Sequence, residues 1–505
     1  MKAHYDVVIV GSGLGGLVSG LILAKEGRSV CILEKNNQYG GNLQTFVREK
    51  TIFDTGIHYI GGLDQGENLH RYFKYLGIID DLQLKKMDKD AFDVVSFENP
   101  SEEFPHAQGY RNFVAQLSKH FPDQQNALGH YLQTLKDTCD AFPLYNLQSE
   151  GRYDTFILGQ NAKETIDGII GNEKLAAVLS GSNFLYAGIA SKSPFYLHAL
   201  SVNSYIQSAW RCINGGSQIT RQLVKQLRSH GAELFKHSEI VSLETDSNAI
   251  RSATLKSGLS VSADLFISNI ELKTTLDLVG RDQFRKPFYE RVKGLEDVVS
   301  AFSLYLVFKP NCFPYINRNY YHFKTVDDVW TAQDYDQYSW PKHYMVSMNA
   351  TPKSERFADG MTILTYMKYA EVEPWADTFN TTASQSDRGE TYEQFKQRKA
   401  EALLTEVAKK FPGIRDCIKS MYTSTPLSYR DYIGSSHGSM YGYVRDSNDP
   451  MRTFVPVKTK LDNLYLVGQS VSVHGVLGVT IGAVATCAEI LGKDYLLDKI
   501  KAATQ

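Results

Sequence analysis

Apolar and polar residues near the start of the chain follow the pattern of a strand, a helix and a second strand. Val7 to Val10 is a β-branched run, which predicts a strand buried on both faces of a parallel sheet. Leu17 to Lys25 has the composition of a helix, and Gly27 is a natural residue to end it. Ser29 to Leu33 predicts the second strand. Together they predict one βαβ unit of roughly 30 residues.

Two later regions have different periods. Residues 64–210 repeat apolar residues at helical spacing, as between Leu69 and Leu76, and predict a mostly helical excursion. The region after residue 286 instead alternates apolar and polar positions, which is typical of an antiparallel sheet with one exposed face. The strands predicted there are Ser300–Phe308, Tyr320–Phe323, His343–Asn349 and Thr362–Tyr369. We expect this sheet to form the floor of a substrate domain.

The predicted turn after the first strand carries glycines at the spacing G-x-G-x-x-G. Gly11 permits a tight turn, Gly13 lets the backbone approach a pyrophosphate, and Gly16 lets the helix pack closely on the strand. The N-terminus of the helix offers unpaired N–H groups to phosphates. Glu34, at the end of the second strand, is placed to accept hydrogen bonds from a ribose. The unit therefore predicts dinucleotide binding, with Ser12 and Gly15 also in the contact turn.

Two further glycine-rich stretches are also predicted to lie against a cofactor. Paired glycines, Gly40 and Gly41, follow the second strand, where backbone can lie against a cofactor. Near the C-terminus a predicted buried strand ends at Gly468, and a glycine-punctuated helix start follows it. The dipole of that helix would stabilise negative charge on a bound cofactor ring. The residues expected to contact a cofactor in this stretch are Gly468, Gln469, Gly478, Val479 and Thr480.

Composition narrows the class of protein. Apolar residues make up 43% and charged residues 22% of the 505 residues, which is typical of a globular protein, and the formal net charge of −2 argues against nucleic acid as a partner. Aromatic residues at 12% suit a large apolar substrate cavity, although core packing explains them equally well. The six cysteines are scattered without a C-x-x-C pair, which predicts a reducing compartment with neither a disulfide framework nor a metal site.

The apolar stretch Val7–Ala24 resembles a signal peptide or membrane span, but its glycine spacing and its lack of a basic start favour a βα unit. No other stretch approaches the roughly 20 apolar residues that a span needs. The expected location is therefore the cytoplasm, either free or in peripheral contact with a membrane.

Residues 5–62 resemble the N-terminal region of the flavin-dependent phytoene desaturase, carotenoid isomerase and retinol saturase group, a branch of the amine-oxidase-like flavoproteins. The stretch Asp54-Thr-Gly-Ile-His-Tyr-Ile-Gly61 is most similar to the retinol saturase branch. The resemblance implies FAD, with the paired glycines and Lys35 beside it and backbone groups at Val241 against the adenine, although a core role for Val241 is equally open. Many relatives have Arg after the paired glycines, where this chain has Asn42.

The resemblance also implies an α/β fold: a Rossmann-type FAD-binding domain of the glutathione reductase type with an inserted α+β substrate domain built on an antiparallel sheet. The expected FAD-binding domain is discontinuous and comprises residues 1–63, 211–285 and 425–505. Residues 64–210 and 286–424 are expected to form the substrate-binding domain.

The leading functional hypothesis is an FAD-dependent oxidoreductase that saturates, desaturates or isomerises carbon–carbon double bonds of a hydrophobic polyene, such as a carotenoid or retinoid. His58, Tyr59 and His474 are candidates to line the flavin or to protonate a carbon, although a structural role for each histidine is equally open.

Two alternatives stay open. One is a flavin amine oxidase, whose aromatic cage Tyr429, Tyr432 and Tyr441 would supply. The other is a non-enzymatic prenyl- or lipid-binding escort of the same fold, similar to the GDP-dissociation inhibitors.

Overall fold

The computed structural model describes residues 1–148, 155–382 and 384–504. The strands are β1 (His4–Val10), β2 (Val30–Leu33), β3 (Thr45–Arg48), β4 (Thr51–Asp54), β5 (Ile60–Gly61), β6 (Leu84–Lys86), β7 (Asp93–Phe97), β8 (Asn99–His106), β9 (Ala209–Cys212), β10 (Glu233–Phe235), β11 (Ile240–Asp246), β12 (Ala249–Leu255), β13 (Ser260–Ser268), β14 (Ser300–Phe308), β15 (Asn319–Phe323), β16 (His343–Ser347), β17 (Gly360–Met367), β18 (Ile418–Ser424) and β19 (Leu464–Leu466).

The α-helices are α1 (Leu14–Lys25), α2 (Asn68–Leu76), α3 (Tyr110–Ser118), α4 (Gln125–Asp140), α5 (Thr155–Gly159), α6 (Ala162–Ile169), α7 (Glu173–Ser180), α8 (Phe195–Gln207), α9 (Ser217–Ser229), α10 (Leu272–Val279), α11 (Lys286–Lys293), α12 (Asp328–Thr331), α13 (Glu390–Lys410), α14 (Ile414–Cys417), α15 (Pro426–Ile433), α16 (Pro450–Thr453), α17 (Gly475–Leu491) and α18 (Lys493–Ala502).

The first sheet joins both ends of the chain. Its order is β10-β2-β1-β13-β12-β11, with β19 paired to β13. β1 lies parallel to β2 and to β13, and β13 is parallel to β19. Val7 and Ile9 pack into one apolar cluster with α1 and α17, while Val8 and Val10 pack into another on the opposite face. The prediction of a strand buried on both faces is confirmed.

Glycine sets the distance between β1 and α1. A Cβ placed on Gly16 would lie 2.4 Å from the carbonyl oxygen of Gly11, so the turn closes only around glycine here. α1 ends just before Gly27, whose φ of +79° suits a residue without Cβ. The stretch Val7–Ala24 is thus a strand and a helix, as its pattern predicts. Among the described residues, no helix has both the length and the apolar character that crossing a bilayer requires.

The second sheet has the order β18-β14-β17-β16-β15-β7-β8. It is antiparallel except where β15 runs parallel to β7. β7 and β8 come from the region predicted to be mostly helical, so that prediction is wrong for residues 93–106.

The predicted exposed face of this sheet is also wrong. Every residue of β14, β15, β16 and β17 is buried. The end of α13 covers one face, where the ring of Phe411 lies 5.4 Å from that of Tyr320 and the ammonium of Lys410 lies over the Tyr320 ring. Alternation along a strand marks two different environments, and here neither of them is water.

The structure corrects the expectation about cysteines. Cys312 and Cys417 form a disulfide, although 105 residues separate them in sequence. β14 and β18 pair antiparallel with Phe308 opposite Ile418, and this pairing brings the two flanking cysteines together. The expectation of a reducing compartment, which rested on unpaired cysteines, loses that support.

Candidate functional site

A cavity of about 380 Å³ extends along the carboxyl ends of β1 and β2, between the two ends of the chain. We call it the glycine-lined cavity. Its lining joins the turn at Gly11–Gly15 to the segment 467–470 and to the start of α17. A Cβ on Gly15 would lie 3.3 Å from the backbone nitrogen of Gly468, so the two segments are in direct contact. The predicted meeting of the chain's two ends is therefore present in the structure.

Asn269, at the end of β13, organises the glycine turn. Its amide group lies within 2.8 Å of the Cβ position of Gly13, 2.6 Å of that of Gly15 and 3.2 Å of that of Gly468. Side chains at these glycines would displace the amide from the turn. Sequence analysis did not single out Asn269, because nothing local shows that its strand ends beside the glycine turn.

The paired glycines lie against the same turn. Gly40 and Gly41 have φ values of +114° and +56°, and a Cβ on Gly41 would lie 3.2 Å from Cα of Gly13. The backbone N–H of Gly40 donates to the carbonyl oxygen of Ser12 at 3.0 Å. Asn42, the departure from the family pattern, donates from Nδ2 to Oε1 of Gln469 at 3.4 Å and so links the two ends of the chain.

Glu34 is buried and held in place by three hydrogen bonds. Its Oε2 accepts from the backbone N–H of Ser12 at 3.1 Å and from the Ser12 hydroxyl at 2.5 Å. Its Oε1 accepts from the backbone N–H of Asn36 at 2.9 Å. The carboxylate lines the cavity and has spare acceptor capacity, because two oxygens offer about four lone-pair sites.

α17 begins at the other end of the cavity. Val476 and Val479, in its first turns, line the cavity, so the unpaired N–H groups and partial positive charge of the helix start lie next to it. Gly478 does not line this cavity; a Cβ there would lie 2.7 Å from the carbonyl oxygen of Val473. Thr480 is fully buried and donates to the carbonyl oxygen of Val476 within the helix.

The structure brings most of the predicted cofactor residues together. Those that line the cavity are Gly11, Ser12, Gly13, Gly15, Glu34, Lys35, Gly40, Gly41, Asn42, Gly468, Gln469 and Val479. Those outside its lining are Gly16, Val241, Gly478 and Thr480. Val241 is 48% exposed, and its neighbour Ile240 lines the cavity instead, because adjacent residues of a strand point to opposite faces.

A second cavity of about 600 Å³ adjoins the first, and we call it the apolar cavity. Aliphatic and aromatic residues form most of its lining, including Leu200, Tyr196 and Ile481. The residues that line both cavities are Gly56, Ile57, Tyr59, Leu185, Tyr205, Tyr441, Gly475 and Val476. The two cavities therefore meet at the start of α17.

Charged groups of the apolar cavity are mostly basic. Among its described lining residues, Arg445, Lys458 and Lys493 are cationic and Glu489 is the carboxylate. The guanidinium of Arg445 donates to the carbonyl oxygens of Val471 and Ser472, at 3.2 and 2.8 Å, and so holds the loop that leads into α17. Burial lowers the pKa of Arg445 from its ordinary value.

His58 and His474 differ in their surroundings. His58 lines the glycine-lined cavity, and both of its ring nitrogens are buried without a hydrogen-bond partner in the described chain. Burial, with a smaller effect of Arg211, lowers the pKa of His58 to about 4, so the ring is neutral. His474 lines the apolar cavity, and its Nε2 is 2.8 Å from the carbonyl oxygen of Leu185. This contact with a backbone carbonyl fits the structural role of His474 that the sequence left open.

Tyr59 lines both cavities. Its hydroxyl is 2.7 Å from Oδ2 of Asp93 and 2.8 Å from the hydroxyl of Tyr321, which also lines the glycine-lined cavity. Its ring stacks on Tyr205 with 4.3 Å between the ring centroids. Sequence reasoning missed Asp93, Tyr205 and Tyr321, because they lie on elements far from residue 59 in the chain.

These features fit a dinucleotide that carries a flat polar ring. The backbone of the glycine turn is bare where a pyrophosphate would approach, and the unpartnered nitrogens of His58 lie where a ring with polar atoms would satisfy them. The start of α17 adds partial positive charge at the same end.

Comparison with known proteins agrees with this site. Residues 14–491 match the family described as flavin containing amine oxidoreductase. All-trans-retinol 13,14-reductase of Rattus norvegicus is 26% identical, over 98% of this chain and 86% of its own length. The chloroplastic prolycopene isomerase of Daucus carota is 24% identical, over 98% of this chain and 81% of its own length. The fold is similar to that of putrescine oxidase bound to putrescine, with a TM-score of 0.62, 12% identity and 99% of each chain covered.

Proposed function

The chain belongs to the flavin containing amine oxidoreductase family and is an FAD-dependent oxidoreductase, and we propose that it acts on carbon–carbon double bonds of a hydrophobic polyene of the retinoid or carotenoid class. The observation that carries the proposal is that the glycine-lined cavity and the larger apolar cavity lie side by side, with eight residues lining both. A long apolar substrate would thereby reach the cofactor without passing through water.

We place the adenosine end of FAD beside Glu34 and Ile240, and the pyrophosphate at Gly13–Gly15 before α1. The flavin ring would then lie between His58 and the start of α17. This arrangement assigns residues 1–63, 211–285 and 425–505 to FAD binding. All strands of the first sheet come from those ranges, and all strands of the second come from residues 64–210 and 286–424.

The bound flavin supplies hydride and electron transfer, and the residues around the junction orient the substrate and exclude water. Tyr59, Tyr205 and Leu185 line both cavities and would contact the reacting part of the polyene. Two similar proteins are named for reactions of all-trans-retinol and prolycopene, which are polyenes.

The outer lining of the apolar cavity includes Phe454, which is 48% exposed, with Lys458 and Lys493. We propose this rim as the entry for substrate and as the contact with a membrane surface. Phe454→Ser is expected to co-sediment with anionic lipid vesicles less than the wild-type protein does. Equal co-sedimentation of the two proteins would contradict the membrane contact.

One observation favours an amine oxidase instead: Tyr429, Tyr432 and Tyr441 all line the glycine-lined cavity, where an aromatic cage would stand. The charges of the apolar cavity oppose it, because Arg445 and two lysines would repel a protonated amine. An escort protein without a cofactor would have no need for the bare glycine turn.

The test is a substrate panel on the FAD-loaded protein. Anaerobically reduced protein mixed with all-trans-retinol or a carotenoid is expected to convert the polyene to a dihydro product or a geometric isomer, identified by chromatography and mass spectrometry. Oxidised protein with putrescine or benzylamine in air is expected to release no peroxide. Peroxide from the amines together with unchanged polyenes would contradict the proposal.

A further inference from the structure

Buried polar groups connect the second sheet to the junction of the cavities. Arg211 donates to the side-chain oxygen of Asn319 at 2.9 Å, and the Asn319 amide donates to Oδ1 of Asp93 at 2.8 Å. Oδ2 of Asp93 is 2.7 Å from the hydroxyl of Tyr59, which is 2.8 Å from that of Tyr321. We propose that Asp93, Tyr59 and Tyr321 form a proton relay that protonates one carbon of the substrate double bond during its reduction. The relay rests on the proposed function.

Asn319 separates the carboxyl of Asp93 from the guanidinium of Arg211. Because the Asn319 amide stands between Arg211 and Asp93, these two side chains do not form a direct ion pair, and Asp93 is only 1% exposed. Burial raises the pKa of Asp93 to about 7, against the smaller lowering effects of its bonds to Tyr59 and Asn319 and of the Arg211 charge. Near neutral pH a large fraction of Asp93 therefore holds a proton.

The other titratable groups around Asp93 stay neutral. His106 lies opposite it on β8, and burial lowers the pKa of that ring to about 4. Burial and the nearby Asp93 charge raise the pKa of Tyr59, Tyr321 and Tyr205 above the ordinary value. The tyrosine hydroxyls therefore stay protonated, and each gives up its proton only as it receives another from its neighbour in the relay.

The sheet register directs the relay towards the cavity. Tyr321 is opposite Met345, and Met345 is opposite Leu364, so the three side chains form one row across β15, β16 and β17. All three line the glycine-lined cavity and not the apolar cavity, so the relay requires the reacting end of the polyene to extend past the junction to Tyr321. When Asp93 is protonated, its O–H can donate to Tyr59 and the Tyr59 O–H to Tyr321, which leaves the Tyr321 O–H for the substrate.

The step balances as follows. The reduced cofactor would supply hydride, with its two electrons, to one carbon of the double bond, and the neighbouring carbon gains a proton from the Tyr321 O–H. Tyr321 takes the proton of Tyr59, and Tyr59 takes that of the Asp93 carboxyl. Asp93 is left as a carboxylate, stabilised by the Asn319 amide and the Arg211 charge. Water returns a proton to Asp93, and a two-electron reductant of the reduced nicotinamide or dithionite class restores the cofactor.

The first readout needs no substrate. Infrared spectra of the holoprotein are expected to show carbonyl bands of protonated carboxyl groups that titrate near pH 7. Among the described residues, Asp93 and Asp54 fit such bands, since burial raises the pKa of Asp54 to about 7 as well. Asp93→Asn should remove one band and Asp54→Asn the other. Asp54 accepts from the backbone of Gly216 and is bonded to no tyrosine of the relay, so Asp54→Asn is the matched control.

The second readout is the pH profile of polyene reduction in a single turnover. The wild-type rate should fall by about tenfold for each pH unit above 7, as the protonated fraction of Asp93 falls. Asp93→Asn and Tyr321→Phe should lower the rate by about 10²-fold or more, abolish this pH limb and leave unchanged the polyene concentration that gives the half-maximal rate. Asp54→Asn should keep the wild-type profile.

Tyr321→Phe keeps the bonds of Asp93 to Tyr59 and Asn319, so it tests the relay even if Asp93→Asn fails to fold. Active variants with the wild-type pH limb would overturn the relay and leave the proposed function standing. A wild-type protein whose Asp93 titrates but which reduces no polyene would overturn the proposed function itself.

Discussion

Gly13→Val is expected to yield a folded protein that has lost about nine-tenths or more of its FAD, because the substitution blocks the contact with the pyrophosphate. The new side chain would occupy the place where the backbone must approach the pyrophosphate. Within the protein its Cβ would meet the Asn269 amide at 2.8 Å, and a terminal amide can turn aside at small cost to the fold. The measurement is the ratio of flavin to protein absorbance after gel filtration, with circular dichroism to check folding.

Gly129→Val is the matched control for this substitution. Gly129 lies in α4 with no heavy atom within 4 Å of its Cβ position, so the same change there should leave the protein yellow. A Gly13→Val protein with a full complement of FAD would contradict the pyrophosphate assignment.

Ala485→Phe is expected to lower kcat/KM for the polyene by about 10²-fold, the scale of loss when a substrate is misplaced by about 1 Å. Ala485 lies on α17 and lines the apolar cavity but not the glycine-lined cavity, so the ring would fill substrate space and leave the cofactor untouched. The flavin spectrum and content should equal those of wild type.

Ala485→Ser is the control, because it keeps the size of the side chain. It should retain activity within a few-fold of wild type. If Ala485→Phe turned over polyenes as fast as wild type, the substrate would have to lie elsewhere than in the apolar cavity.

Local patterns were sufficient to predict the parts of the site that one stretch of chain builds. The turn Gly11–Gly16 and Glu34 could be placed because a strand, a helix and their glycines lie within one βαβ unit. β14 has the predicted bounds Ser300–Phe308, because a nine-residue run dominated by aromatic and large apolar residues favours a buried strand. The contact expected of the Val241 backbone stays a prediction; the side chain that lines the cavity at this point of β11 is that of its neighbour Ile240.

Long-range contacts explain what the sequence could not predict. Asp93, Arg211 and Asn319 come from three separate regions and look unremarkable singly, so only the folded sheet shows their hydrogen-bonded chain. The cover of α13 over the second sheet, and the disulfide of Cys312 with Cys417, likewise depend on which strands become neighbours. The spacing of residues along one strand does not show which distant strand will pair with it.

The central claim is that one FAD molecule joins the two ends of the chain and presents its ring to the apolar cavity. The most direct measurement is a crystal structure of the FAD-loaded protein with a bound polyene. The adenosine should lie beside Glu34 and Ile240, and the flavin ring should lie between His58 and the start of α17. The polyene should lie in the apolar cavity with its reacting end at the junction. A flavin ring away from that junction, or a polyene bound outside the apolar cavity, would contradict the account.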